Sequence, residues 1–342
     1  MLYRYKITPR SPLITPLMSD TFFGHFCWAV RYHRGDDYLT HFLDCYGKEA
    51  PAPVLFSSAF ISGHVPRPTL PSLGRDRIKE FVHEHFGQGK KDLFDGLSRV
   101  KVWNKRQLIS IEQWLQLKED YSQERLYDAF MREESSGDKK ILETEVAISN
   151  MINRISGTVP QEGGGLFTRE KIWYHEGFDL DLYVEVNQEE VDDLTKWFLT
   201  EYLPENGFGA DKSIGMGSLA IVADDSFDPN QFTVQNPNAR LSLSLTSFPG
   251  IETYDACYCL KTKFGKLGGS FASVSPTGGN PKPFKKPVLM YEPGAVFFCS
   301  NSLNDRSLLE DVHSDDRIRH CGIPITLPFR IREGTSYAPK AA

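Results

Sequence analysis

The sequence has little of what marks membrane or secreted proteins. It contains six cysteines in 342 residues, too few and too scattered for the disulfide framework of a secreted domain. Its apolar runs, such as LAIVA at 219–223, are far shorter than the ~20 residues that span a bilayer. The opening segment, MLYRYKITPRSPLITPLMSD, carries prolines and charges where a signal peptide needs an apolar core. We therefore expect a cytoplasmic protein that neither enters a membrane nor carries a cofactor.

Recognisable catalytic motifs are also missing. The sequence contains no H-E-x-x-H, no G-x-S-x-G and no paired C-x-x-C. His25 is a candidate general base because histidine titrates near neutral pH, although a satisfied polar group on a packed helix is the commoner role. Asp20, just before the apolar stretch FFGHFCWAVRYH, is interpreted as a helix cap rather than a metal ligand. The residues alone indicate a protein without a catalytic set.

Acidic residues are absent from one long stretch, although the chain as a whole is acidic. The formal net charge of −6 argues against indiscriminate binding to nucleic acid. Between Ala256 and Tyr291, however, there is no Asp or Glu. The lysines of this stretch are Lys261, Lys263, Lys266, Lys282, Lys285 and Lys286.

Within it, the segment KTKFGKLGGSFASVSPTGGNPKPFKKP (261–287) interleaves lysine with phenylalanine. Lysine neutralises phosphates and phenylalanine stacks on unpaired bases. Lys263, Lys266 and Phe271 are therefore candidate RNA-binding residues. A solvated loop that keeps an edge strand soluble is the alternative.

The order of predicted elements indicates an α+β protein of two domains. The elements are a strand at 2–8, a helix after Ser19–Thr21, a strand at 54–61, strands at 144–152, 166–175 and 178–186, a helix at 189–203 and a strand at 218–223. We predict two ferredoxin-like (RRM-like) domains with antiparallel sheets and packed helices. The first spans 1–223 with a helical insertion at about 75–137; a linker at 224–239 leads to a β-rich, partly ferredoxin-like domain at 240–342.

A glycine-rich loop, GFGADKSIGMGS at 207–218, precedes the last strand of the first domain. It is not a P-loop, because Asp211 stands where that motif has glycine and because the loop leads from a helix to a strand. A tight turn needs fewer glycines, so contact between the backbone and a phosphodiester chain is the other interpretation. The candidate RNA-binding residues are Gly207, Gly209, Lys212, Ser213, Gly215, Met216 and Gly217.

A third stretch, NMINRISGTVPQEGGGLFTREKIWY at 150–174, is typical of a β-hairpin with a polar tip. Either the tip is merely solvated, or it presents an arginine and hydroxyl groups to a nucleic-acid backbone. On the second interpretation the contacting residues are Asn153, Arg154, Ser156 and Thr158.

Together and in this order, these stretches resemble the RAMP superfamily of CRISPR proteins. Within it, the sequence is most similar to the fourth-subunit family of the type III-A effector, the Csm complex. The segments that carry the resemblance are LMSDTFFGHFCWAV, NRISGTVPQEGGGLFT, GFGADKSIGMGS and KKPVLMYEPGAVF, spread over nearly the whole chain. The family often has an acidic residue before the hairpin arginine, where this chain has Asn153.

The resemblance implies a non-catalytic subunit that holds the 5′ handle of the CRISPR RNA. It implies contacts with the large type III signature subunit and with the Csm backbone subunits, and the helical insertion is a candidate for a protein contact. Two alternatives remain open. One is a RAMP-type, metal-independent endoribonuclease that processes precursor CRISPR RNA, with His25 and Tyr3 or a lysine activating a 2′-hydroxyl. The other is a structural scaffold whose loops contact only protein.

Overall fold

A computed structural model describes residues 1–47, 50–133, 141–159, 165–247, 255–272 and 282–332. It is a mixed α+β structure. The helices are α1 (Ser19–Arg34), α2 (Asp36–Leu43), α3 (Arg75–Phe86), α4 (Lys90–Lys105), α5 (Ile111–Leu117), α6 (Gln123–Arg132), α7 (Asp192–Trp197) and α8 (Leu203–Asn206). The strands are β1 (Leu2–Pro9), β2 (Val54–Phe56), β3 (Phe60–Ile61), β4 (His64–Pro66), β5 (Leu108–Ser110), β6 (Leu142–Asn150), β7 (Leu166–Tyr174), β8 (Leu180–Val186), β9 (Leu219–Ala223), β10 (Ala239–Ser242), β11 (Thr246–Ser247), β12 (Ala256–Cys257), β13 (Leu260–Lys263), β14 (Val288–Tyr291), β15 (Val296–Phe297) and β16 (Thr326–Phe329).

The central sheet has the strand order β2-β8-β1-β9, and β3 also pairs with β8. All of these pairings are antiparallel. The strand predicted at 54–61 is in fact two short strands, because Ser57 and Ser58 leave the sheet direction. The Ser57 amide still donates to the Tyr183 carbonyl, but the Ser58 amide donates to Leu243 in the C-terminal half.

Helix α1 packs its aromatic side chains between this sheet and the helical segment at 189–206. Phe22 lies 4.8 Å from Phe208, and Phe26 lies 5.2 Å from Phe198, between ring centroids. These rings are fully buried, so they supply much of the apolar area that stabilises this half.

The predicted cap of α1 is wrong. Met18 occupies the N-cap position and makes no side-chain capping bond. Ser19 and Asp20 are already helical, and the side chains of both contact residues of the C-terminal half. The Ser19 hydroxyl accepts from the Leu245 amide at 2.9 Å, and Asp20 forms an ion pair with Lys263 at 3.0 Å.

The predicted helical insertion contains α3 to α6. Trp103 and Tyr127 pack inside it with centroids 5.7 Å apart. Trp114 and Tyr121 pack on Phe329 of β16, at 5.3 and 5.6 Å. The insertion therefore docks on the C-terminal half through aromatic side chains. Its predicted end at 135–138 lies outside the described residues.

Strands β6 and β7 form the predicted hairpin, paired from Leu142 opposite Tyr174 to Asn150 opposite Leu166. It joins the body where Leu13 and Ile172 exchange backbone hydrogen bonds of 2.9 and 2.8 Å. Most side chains on both strands are exposed or half-buried, so the hairpin projects from the core.

The C-terminal half contains a sheet of order β12-β15-β10-β16 and a smaller one of order β11-β14-β13. Its predicted separation from the first half at 224–239 stays a prediction. Among the described residues, none of the helices combines the length and apolarity that crossing a bilayer requires.

Candidate nucleic-acid interface

The glycine-rich loop, residues 207–218, turns back on itself between α8 and β9. All four glycines have positive φ: 72° at Gly207, 79° at Gly209, 86° at Gly215 and 72° at Gly217, a region that side chains with a Cβ rarely adopt. A Cβ on Gly209 would lie 2.5 Å from Thr15 Cβ, and one on Gly217 would lie 2.0 Å from the Phe208 carbonyl oxygen. At Gly215 nothing lies within 4 Å. Packing against Thr15 therefore explains Gly209, and the loop's own closure on Phe208 explains Gly217, whereas Gly215 faces open space.

Most of the loop's backbone amides hold the loop in place. Gly209 N–H donates to His25 Nε2 at 2.9 Å, and Ala210 N–H donates to Thr15 Oγ1 at 3.1 Å. Gly217 N–H donates to the Pro12 carbonyl at 2.9 Å. Amides already bonded in this way are not available to a phosphate.

The outer turn of the loop is different. Within the described part of the chain, the amides of residues 211–213 make no hydrogen bond, and the side chains of Lys212 and Ser213 are exposed. Met216 N–H is bonded back to the Asp211 carbonyl at 3.3 Å. The geometry thus reduces the predicted backbone surface to the residues around Lys212 and Ser213.

Arg169 of β7 forms an ion pair with Asp211 at 3.1 Å. This contact neutralises the carboxylate that would repel a phosphate, and it connects the hairpin to the glycine-rich loop. Sequence reasoning missed Arg169, because nothing in the local pattern of β7 indicates that its partner lies beyond α7 and α8. Lys212 is exposed as a whole residue, but its ammonium group is partly buried, and this burial lowers the pKa of the group from its ordinary value.

His25 supports the loop. Its Nε2 accepts the Gly209 amide, so that nitrogen carries no proton, and its ring lies 4.8 Å from Phe208. Burial, and secondarily the charge of Lys212, lowers the pKa of His25 to about 3. The interpretation of His25 as a satisfied polar group on a packed helix is the one the geometry favours.

At the hairpin tip, three of the four predicted residues shape the turn. Asn153 Oδ1 accepts from the amides of Ile155 and Ser156, at 2.9 and 3.4 Å. The hydroxyls of Ser156 and Thr158 are 2.9 Å apart and hydrogen-bonded. Arg154 is exposed and has no acidic partner among the described residues. Residues 160–164 of the predicted tip, with Gly163 and Gly164, lie outside the described residues.

Some of the residues predicted to bind RNA in the lysine-rich segment pack against α1 instead. Lys263 pairs with Asp20. The Phe271 ring lies edge-on to Trp28 at 5.2 Å, with the Arg31 guanidinium 4.8 Å from its centroid. Lys266, by contrast, is exposed, with its Nζ 5.9 Å from the centre of the Phe284 ring. Part of the segment, 273–281, lies outside the described residues.

Helix α1 therefore contacts both the glycine-rich loop, through His25, and the lysine-rich segment, through Asp20 and Trp28. The hairpin joins the same region through Arg169. No group of histidine, cysteine and acidic side chains among the residues that the structure describes is arranged to hold a metal ion.

No protein-family model and no curated protein sequence matches the chain. Solved structures do match it over nearly its whole length. The Csm3–Csm4 subcomplex of the type III-A CRISPR-Cas interference complex contains a chain that matches with a TM-score of 0.54 and 11% identity, covering 96% of this chain and 99% of that one. The Csm1–Csm4 cassette bound to cA4 gives a TM-score of 0.53, and the cassette bound to pppApA gives 0.52, each with 13% identity and coverage of 98% and 100%.

Csm4 is the component that these assemblies share. The chain has a Csm4-like fold. At such low identity the match concerns the path of the backbone, so the roles of individual side chains follow from this chain's own geometry.

Replacing Gly217 with alanine tests the closure of the glycine-rich loop. The new Cβ meets the Phe208 carbonyl, and the positive φ adds strain, so we expect the free energy of unfolding to fall by roughly 2 kcal/mol or more. Gly215→Ala is the matched control, with similar φ but open space, and we expect a loss of about 1 kcal/mol. Urea denaturation measures both, and equal losses would contradict a closure made by Gly217.

The burial of His25 makes stability depend on pH. The folded pKa of about 3 lies below the ordinary value of 6.5, so below about pH 6.5 the unfolded chain takes up a proton that the folded chain does not. The free energy of unfolding should therefore decrease as pH falls from 7 to 4.5. Burial lowers the pKa of His320 to about 3 as well, which adds to the same slope.

His25→Gln should reduce that slope, because the glutamine carbonyl accepts the Gly209 amide without titrating. Denaturation curves across this pH range provide the measurement. An unchanged slope in His25→Gln would show that His25 is protonated in the folded protein.

Proposed function

We propose that this chain is a non-catalytic, CRISPR RNA-binding subunit of a type III-A effector complex in the cytoplasm. It holds the 5′ handle of the CRISPR RNA and links the large signature subunit to the backbone subunits in antiviral defence. The observation that carries the proposal is the Csm4-like fold over nearly the entire chain, shared with structures in which Csm4 is paired with Csm1 or Csm3. On this proposal both halves, 1–223 and 240–342, are ferredoxin-like domains.

The RNA contacts come from cations that the fold leaves without acidic partners. Arg154 at the hairpin tip and Lys212 at the outer turn of the glycine-rich loop are both exposed. Arg169 couples these two elements by neutralising Asp211. A guanidinium, an ammonium and the adjacent free amides suit successive phosphates of an RNA backbone. Asn153, Ser156 and the glycines then act by fixing the turns that present these groups.

The apolar surface of the hairpin suits a contact with another protein. Val146 and Ile148 lie two residues apart on β6, so they share a face, and Ile148 is 75% exposed. An isolated two-stranded hairpin is marginally stable in water, and contiguous exposed apolar side chains mark interaction surfaces. We assign this face to a backbone subunit of the filament.

The endoribonuclease alternative has no observation in its favour. A catalytic base needs a free nitrogen within reach of the 2′-hydroxyl. His25 Nε2 is occupied by the Gly209 amide at 2.9 Å, and the ring lies against Phe208. His25 therefore serves the loop that presents Lys212.

Arg154→Ala and Lys212→Ala should each weaken binding of the handle RNA by about tenfold, the typical worth of a hydrogen bond to a charged group. Each lost phosphate contact should also reduce the slope of log affinity against log salt by about 0.7. Filter binding at several salt concentrations measures both quantities. Lys101→Ala, an exposed lysine on α4, is the control and should change neither. Unchanged affinity and unchanged RNA retention in the assembled complex would refute the handle-binding role.

The double variant Val146→Ser and Ile148→Ser should lose co-purification with the Csm3-type backbone subunit. Because both side chains are already exposed to water, the free energy of unfolding of the isolated chain should change little. Val222→Ser, at an exposed apolar position on β9, is the control and should keep the complex intact. Full recovery of the complex with the double variant would show that this face does not contact the backbone subunit.

A further inference from the structure

The lysine-rich segment forms a two-stranded ribbon that continues beyond β13 and β14. Thr262 pairs with Leu289 in the regular ladder, and Lys266 pairs with Phe284 farther along. Between them, the Lys285 amide donates to the Gly265 carbonyl at 2.7 Å. The ribbon is thus held by backbone bonds at both ends, and its side chains alternate between two faces.

One face of the ribbon is docked on the protein. Lys263 pairs with Asp20, Leu267 is buried, and Lys285 donates to the Arg319 carbonyl at 2.7 Å. Burial lowers the pKa of Lys285. These residues are structural, and their charges are not available to a ligand.

The other face, which we call the ribbon face, is open to solvent. Phe264 and Phe284 are 66% and 60% exposed, although phenylalanine is usually buried. The ribbon face consists of Leu260, Phe264, Lys266, Lys282, Phe284, Lys286 and Leu289, all of them exposed.

The charge of the ribbon face indicates which kind of ligand it binds. Within the described part of the chain, no carboxylate lies within ion-pair distance of Lys266, Lys282 or Lys286. Two acids near the ribbon in the sequence or the packing have other partners: Glu292 pairs with Lys261 at 3.7 Å, and Asp315 pairs with Arg317 at 2.8 Å. Free lysines alternating with exposed aromatic rings suit single-stranded nucleic acid, whose phosphates need cations and whose unpaired bases stack on rings.

We propose that the ribbon face binds unpaired nucleotides of single-stranded RNA. Phe264 and Phe284 stack on bases, while Lys266, Lys282 and Lys286 neutralise the phosphates. The inference rests on the proposed RNA-binding function and deepens it. It assigns the stacking role, which the sequence suggested for Phe271, to two rings that are free to stack.

The test compares two fluorescently labelled RNA strands of equal length and charge, one with bases and one abasic. Fluorescence anisotropy on the full chain should show that the strand with bases binds about tenfold or more tightly, since stacking is worth that much per base. In Phe264→Leu with Phe284→Leu, the preference should disappear while the salt dependence remains. The Trp double variant at the same positions should restore it. Both rings are exposed, so unfolding curves should match the wild type.

Lys266→Ala should weaken binding of both strands and reduce the salt slope by about 0.7. A leucine double variant that keeps its preference for the strand with bases would overturn the proposal. The proposal would also be overturned if the leucine double variant kept its RNA affinity but lost a protein subunit from the purified complex. The ribbon face would then be a protein contact. If Arg154→Ala weakens handle binding while the leucine variant does not, the handle-binding function stands and the ribbon face alone is refuted.

Discussion

The packing of Phe208 beneath α1 is the contact on which the rest of the candidate site depends. Its fully buried ring lies 4.8 Å from both Phe22 and His25, and its amide donates to the Gly217 carbonyl at 2.8 Å. A buried aromatic ring between two glycines of positive φ fixes the loop from inside. The outer turn, with Lys212 and Ser213, is presented because the inner turn is anchored.

Helix α1 extends this constraint to the C-terminal half. Asp20 and its partner Lys263 are largely shielded, with side chains 5% and 17% exposed. Removing one member of a buried ion pair costs about 3–5 kcal/mol, because the other charge is left without a partner. The same helix turn accepts the Leu245 amide through Ser19. Two buried polar contacts at one helix end therefore position the ribbon relative to the glycine-rich loop.

The cations fall into two groups: those paired with other groups of the protein and those without an acidic partner. Arg169, Lys263 and Lys285 neutralise or satisfy groups of the protein itself. Arg154 and Lys266 have no acidic partner among the described residues. A net charge of −6 is compatible with RNA binding because exposed cations without an acidic partner among the described residues include Arg154 on the hairpin, Lys212 on the loop and Lys266 on the ribbon. Local potential, rather than net charge, governs contact with phosphate at short range.

Local patterns in the sequence determined the main strands and helices of the first half, the helical insertion, the hairpin and the requirement for glycine at 207–217, but not α2, β4 or β5. These features depend on backbone periodicity and on φ, which neighbouring residues dictate. The sequence also located the acid-free stretch. It did not indicate that 54–61 breaks at Ser57, that Asp20 pairs instead of capping, or that Arg169 reaches Asp211.

The direction and the partner of each side chain were decided only by the tertiary structure. Lys263 and Lys266 are alike in sequence, yet one is paired and the other faces water. Phe271 lies against Trp28, whereas Phe264 and Phe284 are exposed. Whether a residue is free to bind a ligand depends on segments far away in the chain, which pack against one face of a strand and leave the other open.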